Sequence, residues 1–155
     1  VSATGAIALA DAAATEALGA QLAAVLGIGD VIALSGPLGA GKTTLARGVL
    51  AGLGLAGEAA SPSFPLVIAY TAAELRVPVW HVDLYRIDDS DEIAELGLDE
   101  ARAEAALLVE WPERMGRWLW PDALQLTIVD GQPGGRRLTW QAPAAWEGRW
   151  PPARS

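Results

Sequence analysis

Apolar residues recur along this chain with two periods. Behind Asp11, a residue type that caps helix N-termini, Leu18, Leu22, Val25 and Leu26 fall on one face of a predicted helix over residues 11–26. Residues 5–10 precede it as a short strand. After a turn at Gly27, Gly29 and Asp30, Val31-Ile32-Ala33-Leu34 is a continuous apolar run, the pattern of a strand buried on both faces. Residues 43–53 read as a second helix, stopped at Gly54. Residues 65–70 and 77–83 are strand candidates. The acidic, Ala/Leu-rich stretch 90–104 reads as one or two short helices broken near Gly97. Ala106-Leu107-Leu108-Val109 is another buried-strand run. Residues 124–129 and 137–141 flank Asp130-Gly131-Gln132-Pro133-Gly134-Gly135, a hairpin signal.

Between the first buried strand and the second helix stands Gly36-Pro37-Leu38-Gly39-Ala40-Gly41-Lys42-Thr43. Glycines at 36, 39 and 41 let the backbone curl its N–H groups inward, and the following helix adds free N–H groups and a positive dipole end. Lys42 supplies a point charge for β and γ phosphates, the Thr43 hydroxyl can ligate Mg²⁺, and Thr44 is placed for another phosphate. The motif in its strand–loop–helix setting predicts nucleotide binding. With strands and helices alternating early and a hairpin late, the expected fold is α/β, a three-layer P-loop NTPase-like domain with a mixed, mostly parallel sheet.

At 155 residues and 52% hydrophobic content the chain reads as one domain over residues 1–145. The tail over 146–155, rich in Pro and Arg, is expected to be flexible. There is no cysteine, which excludes disulfides and thiolate metal sites and makes a reducing cytoplasm the default. No apolar run approaches the length of a membrane span, and the first residues lack the basic start of a signal peptide. The net charge of −8, from 11 basic and 19 acidic residues, makes a poor autonomous nucleic-acid binder. A partner should hold any polymer involved.

A nucleotide hydrolase of this class needs a carboxylate at the end of a neighbouring strand to orient the metal or its water. Two strands end this way, Val77-Pro78-Val79-Trp80-His81-Val82 at Asp83 and Leu107-Leu108-Val109 at Glu110. One of the two would hold the metal while the other positions the attacking water, and spacing assigns neither role. His81 shares a strand face with Asp83 and can orient a carboxylate or serve as a buried, hydrogen-bonded strand residue. Arg86 can neutralise charge on a transferring phosphoryl group or pair with the acidic run Asp88-Asp89-Asp91-Glu92, and pairing is favoured.

Taken in order, Gly39-Ala40-Gly41-Lys42-Thr43-Thr44, Ser61-Pro62-Ser63-Phe64, His81-Val82-Asp83-Leu84-Tyr85-Arg86 and Val109-Glu110-Trp111-Pro112 resemble the TsaE (YjeE) family over roughly residues 5–140. The first motif is common to nucleotide hydrolases; the second pair of motifs in combination is specific. The resemblance implies a Mg²⁺-dependent ATP hydrolase, weak alone, that works with TsaB and TsaD in the threonylcarbamoyladenosine modification of adenosine 37 in tRNAs reading codons that begin with A. It implies that Lys42 and the loop hold phosphates, that Thr43 and Glu110 lie at the magnesium with Asp83 at or near it, and that Trp111 and Arg136 approach ATP. It also implies a switch-like role for residues 61–64. Three residues depart from the family pattern. Ser63 replaces Thr and keeps the hydroxyl; Pro65 removes a backbone donor. Pro37 replaces an acidic residue inside the loop, a change expected to bear on nucleotide affinity.

Two other classes fit a phosphate loop: a small-molecule kinase and a non-catalytic nucleotide-dependent switch. Such kinases usually carry an Arg-rich lid, whereas the arginines here are dispersed. Seven Trp against one Phe is an unusual balance. Trp111 is assigned to the site, Trp80 to the core, and Trp118, Trp120, Trp140, Trp146 and Trp150 to packing ahead of interfaces.

Overall fold

Asp11 opens the first helix as its residue type predicts, with a side-chain oxygen accepting the Ala14 N–H at 2.8 Å. In the computed structural model, which describes residues 3–37, 41–59, 66–131 and 134–152, this helix is α1 (Ala12–Val25). It lies between strands β1 (Ala3–Leu9) and β2 (Val31–Ser35). Helix α2 (Lys42–Gly52) follows, then β3 (Val67–Tyr70) and β4 (Val79–Asp83). The acidic stretch divides at Gly97, whose φ of 69° ends a 3-10 helix over Ser90–Leu96 and starts the short helix α3 (Leu98–Arg102). Strand β5 (Ala106–Glu110), a 3-10 helix over Pro112–Trp118, and the hairpin strands β6 (Leu124–Asp130) and β7 (Arg136–Ala142) complete the order, with a last 3-10 turn at Ala144–Trp146.

The strands form one seven-stranded sheet in the order β1-β7-β6-β2-β5-β4-β3. Its middle, β6-β2-β5-β4, is parallel, while β1, β7 and β3 join antiparallel at the flanks. The continuous apolar runs of β2 and β5 occupy this middle, buried on both faces. One face carries α1 and α2 over a cluster that includes Leu22, Leu34, Leu50, Leu108 and Leu126. The other is covered by the 3-10 helices over Ser90–Leu96 and Pro112–Trp118 and by α3, around Val82, Ile93, Leu98, Leu107 and Met115. The result is the three-layer α/β fold with a mixed sheet. No helix among the described residues is long and apolar enough to cross a membrane.

Helices α1 and α2 meet almost backbone to backbone. A Cβ on Gly48 would stand 2.4 Å from the Glu16 carbonyl oxygen, and one on Gly19 would stand 2.6 Å from that of Leu45. Glycine costs helix propensity at both places, and the close approach explains its use. It also fixes where α2 begins, and hence where Lys42 sits relative to the sheet.

The tail departs from expectation. Trp146 is 1% exposed and Trp150 5%, so the chain packs as far as Trp150, where fraying from residue 146 was expected. Arg149 explains part of this. It forms two bonds to Asp30, at 2.6 and 3.1 Å, donates to the Val25 carbonyl at 3.1 Å, and lies 4.2 Å over the Trp146 ring. Trp150 meets Trp140 edge-on at 5.5 Å. Proline and arginine suggested solvent, but the two indoles between them supply enough apolar area to fasten the segment.

Candidate functional site

Parallel pairing of β4 with β5 makes Asp83 and Glu110 register partners at the carboxyl ends of adjacent strands. Alternation puts them on the face that α2 covers. Sequence alone could place each acid at a strand end, but their pairing required the strand order. Both are buried, with Glu110 4% exposed. Asp83 Oδ1 accepts the Tyr85 N–H at 2.9 Å. Glu110 Oε2 lies 2.7 Å from His81 Nε2.

Lys42 begins α2 directly opposite. Gly41, with φ 109°, turns the chain into the helix, a conformation that favours glycine. Gly36, at φ 140°, is required for another reason: a Cβ there would stand 2.2 Å from the Ile128 carbonyl oxygen. The Lys42 ammonium donates to the carbonyls of Gly36 and, at 3.3 Å, Pro37, and lies 4.2 Å over the Trp111 ring. Burial lowers its pKa from the ordinary lysine value, opposed by the charges of Glu110, Glu113 and Asp83. Thr43 and Thr44 are half-buried in the same first turn. Leu38, Gly39 and Ala40 lie outside the described residues, as do residues 61–65 with the Ser-Pro-Ser-Phe segment.

Trp111 follows Glu110 with φ 60° and ψ 50°, the left-handed region. Among the described residues it is the one non-glycine there. Bulky side chains rarely adopt this conformation, and Pro112 further restricts its predecessor. Such strain persists where surrounding contacts enforce it. Here those are the Trp111 N–H bond to the Leu34 carbonyl at 3.2 Å, the Tyr85 ring at 4.9 Å and the Lys42 ammonium. Tyr85 was missed in the sequence. It both fastens Asp83 through its N–H and backs Trp111 with its ring, and neither role has a signature in spacing.

Arg136 begins β7 and comes beside the loop: a Cβ on Gly41 would lie 3.8 Å from its Nε. It also pairs with Asp130 at 3.1 Å. Arg86 differs from expectation. It is exposed and makes no ion pair among the described residues, and Asp91 is instead met by Arg117 at 3.8 Å. The structure thus brings Lys42, Asp83, Glu110 and Trp111 together, sets Thr43 and Thr44 beside Lys42 and Arg136 beside Gly41, and leaves Arg86 outside. Among the described residues no three His, Cys, Asp or Glu side chains are grouped to hold a metal by themselves.

Burial raises the Asp83 pKa above the ordinary aspartate value; the Tyr85 N–H opposes this, the Glu110 charge adds to it, and His81 and Lys42 oppose it. A carboxyl with a raised folded pKa binds its proton more tightly folded than unfolded. From about pH 3.9 upward, stability therefore falls as pH rises through the raised value. At neutral pH the charged Asp83 is destabilising. Asp83→Asn, which can keep the Tyr85 bond, is expected to raise unfolding stability at pH 7 by roughly 0.5–2 kcal/mol, with the gain shrinking toward pH 4. Urea titrations at both pH values check this; a variant weaker than wild type at pH 7 contradicts it.

Comparison with known proteins shows the family and the fold. A family model, the threonylcarbamoyl adenosine biosynthesis protein TsaE, matches residues 9–138. A tRNA threonylcarbamoyladenosine biosynthesis protein TsaE of Streptomyces coelicolor is 42% identical over 112 residues, covering 72% of this chain and 76% of that protein. Its Bacillus subtilis namesake is 37% identical over 129 residues, covering 83% and 79%. The crystal structure of Bacillus subtilis YdiB matches with a TM-score of 0.79 at 29% identity, covering 96% of this chain and 93% of that one.

Proposed function

The chain belongs to the TsaE family of threonylcarbamoyladenosine biosynthesis proteins, and on that premise we propose that it is a Mg²⁺-dependent ATP hydrolase acting on TsaB and TsaD in the cytoplasm. Its turnover is weak alone and raised by those partners, which carry out the modification of adenosine 37 in tRNAs reading ANN codons. The observation that carries this reading is the pairing of Asp83 with Glu110 at the sheet edge facing Lys42.

Lys42 and the N–H groups at the start of α2 bind the β and γ phosphates, with Arg136 and Trp111 bordering the nucleotide. Reaching a phosphate requires the ammonium to exchange the Gly36 and Pro37 carbonyls for phosphate oxygens, contacts of higher charge. The Thr43 hydroxyl and the two carboxylates are hard oxygen donors, which suits magnesium. Two carboxylates at the strand ends also match how that ion is usually held, by one or two acids together with substrate phosphates. When bound, the ion neutralises charge on the β and γ oxygens. Asp83, destabilised by burial and by Glu110, is the group that most needs a cation beside it. Glu110 then orients a water toward the γ-phosphate.

The acidity of the chain, −8 overall, supports tRNA being held by the partners. Immobilised chain incubated with TsaB and TsaD is expected to retain both in ATP and markedly less of both without nucleotide. Retention independent of nucleotide contradicts the proposed coupling.

A further inference from the structure

His81 is the one histidine of the chain and is 1% exposed. It lies on β4 in register with Leu108, while Glu110 is in register with Asp83. The 2.7 Å bond from His81 Nε2 to Glu110 Oε2 is therefore a diagonal link across adjacent strands. It draws the Glu110 side chain back over the sheet. An ionised carboxylate only accepts, so Nε2 carries the proton and donates. The Glu110 side chain makes no other hydrogen bond among the described residues, its carbonyl accepting the Leu84 N–H at 3.1 Å. Asp83 is fastened differently, by the backbone N–H of Tyr85.

Packing alone does not account for a histidine here. The position faces the cluster formed by Val79, Ala106 and Leu108, where an aliphatic side chain would need no polar partner. His81 Nδ1 is buried with no hydrogen-bond partner among the described residues. The nitrogen that is satisfied serves one atom, Glu110 Oε2.

We propose that His81 is the positioning residue for Glu110: its Nε2–H fixes one carboxylate oxygen so that the other is presented to the water or cation at the phosphate loop. This rests on the hydrolase reading above and deepens it by giving the two acids different supports. Asp83 is set by the turn that follows it, and Glu110 by a side chain from the neighbouring strand. Partners that orient a metal-site carboxylate or its water usually cost about 10- to 100-fold in activity or affinity when removed.

The test compares His81→Phe, which fills the site without a donor, with His81→Gln, whose amide nitrogen can stand near the position of Nε2. Expected for His81→Phe is a kcat for ATP lower by about 10- to 100-fold with KM little changed; His81→Gln recovers most of that loss. Binding of a non-hydrolysable ATP analogue, measured by titration calorimetry in EDTA, stays close to wild type in both variants. The gain in affinity on adding Mg²⁺ shrinks in His81→Phe and returns in His81→Gln. Adding His81→Phe to Glu110→Gln lowers the rate little further, because His81 acts through Glu110. Equal losses in the Phe and Gln variants, additive losses with Glu110→Gln, or a fall in EDTA affinity matching the fall in rate would overturn the proposal. Wild-type protein that hydrolyses no ATP with its partners present sinks the hydrolase reading and this inference together. Wild-type turnover matched by His81→Phe sinks the inference alone.

Discussion

Glu110→Gln is expected to lower ATP hydrolysis by roughly 10²- to 10⁴-fold, the range for removing a positioned acid–base group, while leaving nucleotide affinity measured in EDTA within a few-fold of wild type. The substitution keeps volume and an oxygen but removes the charge. Three features argue for a large effect on rate. Glu110 is 4% exposed, so its charge acts in a medium of low dielectric. It stands in register with Asp83 and contributes to the field on Lys42, so it is part of one charge constellation. It is also fixed by His81, which gives it a single orientation. Affinity should survive because Lys42, and Arg136 beside Gly41, keep their positive charge at the loop. Steady-state hydrolysis alongside calorimetric binding separates the two quantities. A variant that loses binding in proportion to rate would show Glu110 to be a general anchor of the nucleotide, and one with wild-type turnover would remove it from the chemistry.

Trp146→Ala is expected to destabilise the fold by about 3–5 kcal/mol, the usual cost of emptying a large aromatic site. For a chain of this size that lowers Tm by roughly 6–20 °C. The indole is almost wholly buried, and its Nε1–H donates to the Asp122 carbonyl at 3.2 Å. Removing it also strips the platform under Arg149, whose bonds to Asp30 and Val25 tie the end of the chain to α1 and the start of β2. These contacts lie at the opposite end of β2 from the phosphate loop. Calorimetric melting should therefore show a large loss of stability, and ATP hydrolysis measured well below the new Tm should change little. A Tm within 2 °C of wild type would mean the tail is as loosely held as its composition suggested.

The contrast between these two residues shows what the chain discloses in one dimension. The place of Glu110 at a buried strand end was legible because its strand reads as a continuous apolar run closed by an acid. Its neighbour Asp83 was legible for the same reason, but their adjacency depends on β4 lying next to β5, which no local pattern states. Trp146 reads as a packing residue and is one, but the segment around it reads as flexible because Pro and Arg dominate it, and no local pattern states its contacts with Asp122 and Arg149. The left-handed backbone of Trp111 ran against local rules, since the residue before a proline is normally extended. It is enforced by Leu34, Tyr85 and Lys42, from three other parts of the chain. Gly19 and Gly48 have no explanation in local pattern; the close contact of α1 with α2 supplies it. Local pattern thus carried the elements and the order of layers, while pair contacts between elements supplied the geometry of the site.

Pro37 belongs to the same division. Its carbonyl accepts from Lys42 at 3.3 Å, so the residue that lacks an N–H for phosphate still engages the lysine. Nucleotide binding at this loop is the central claim, and calorimetric titration of Mg·ATP into wild type and Lys42→Ala tests it most directly. The account predicts saturable binding to wild type and none detectable to Lys42→Ala, with both proteins folded by circular dichroism. Undiminished affinity in Lys42→Ala would contradict it.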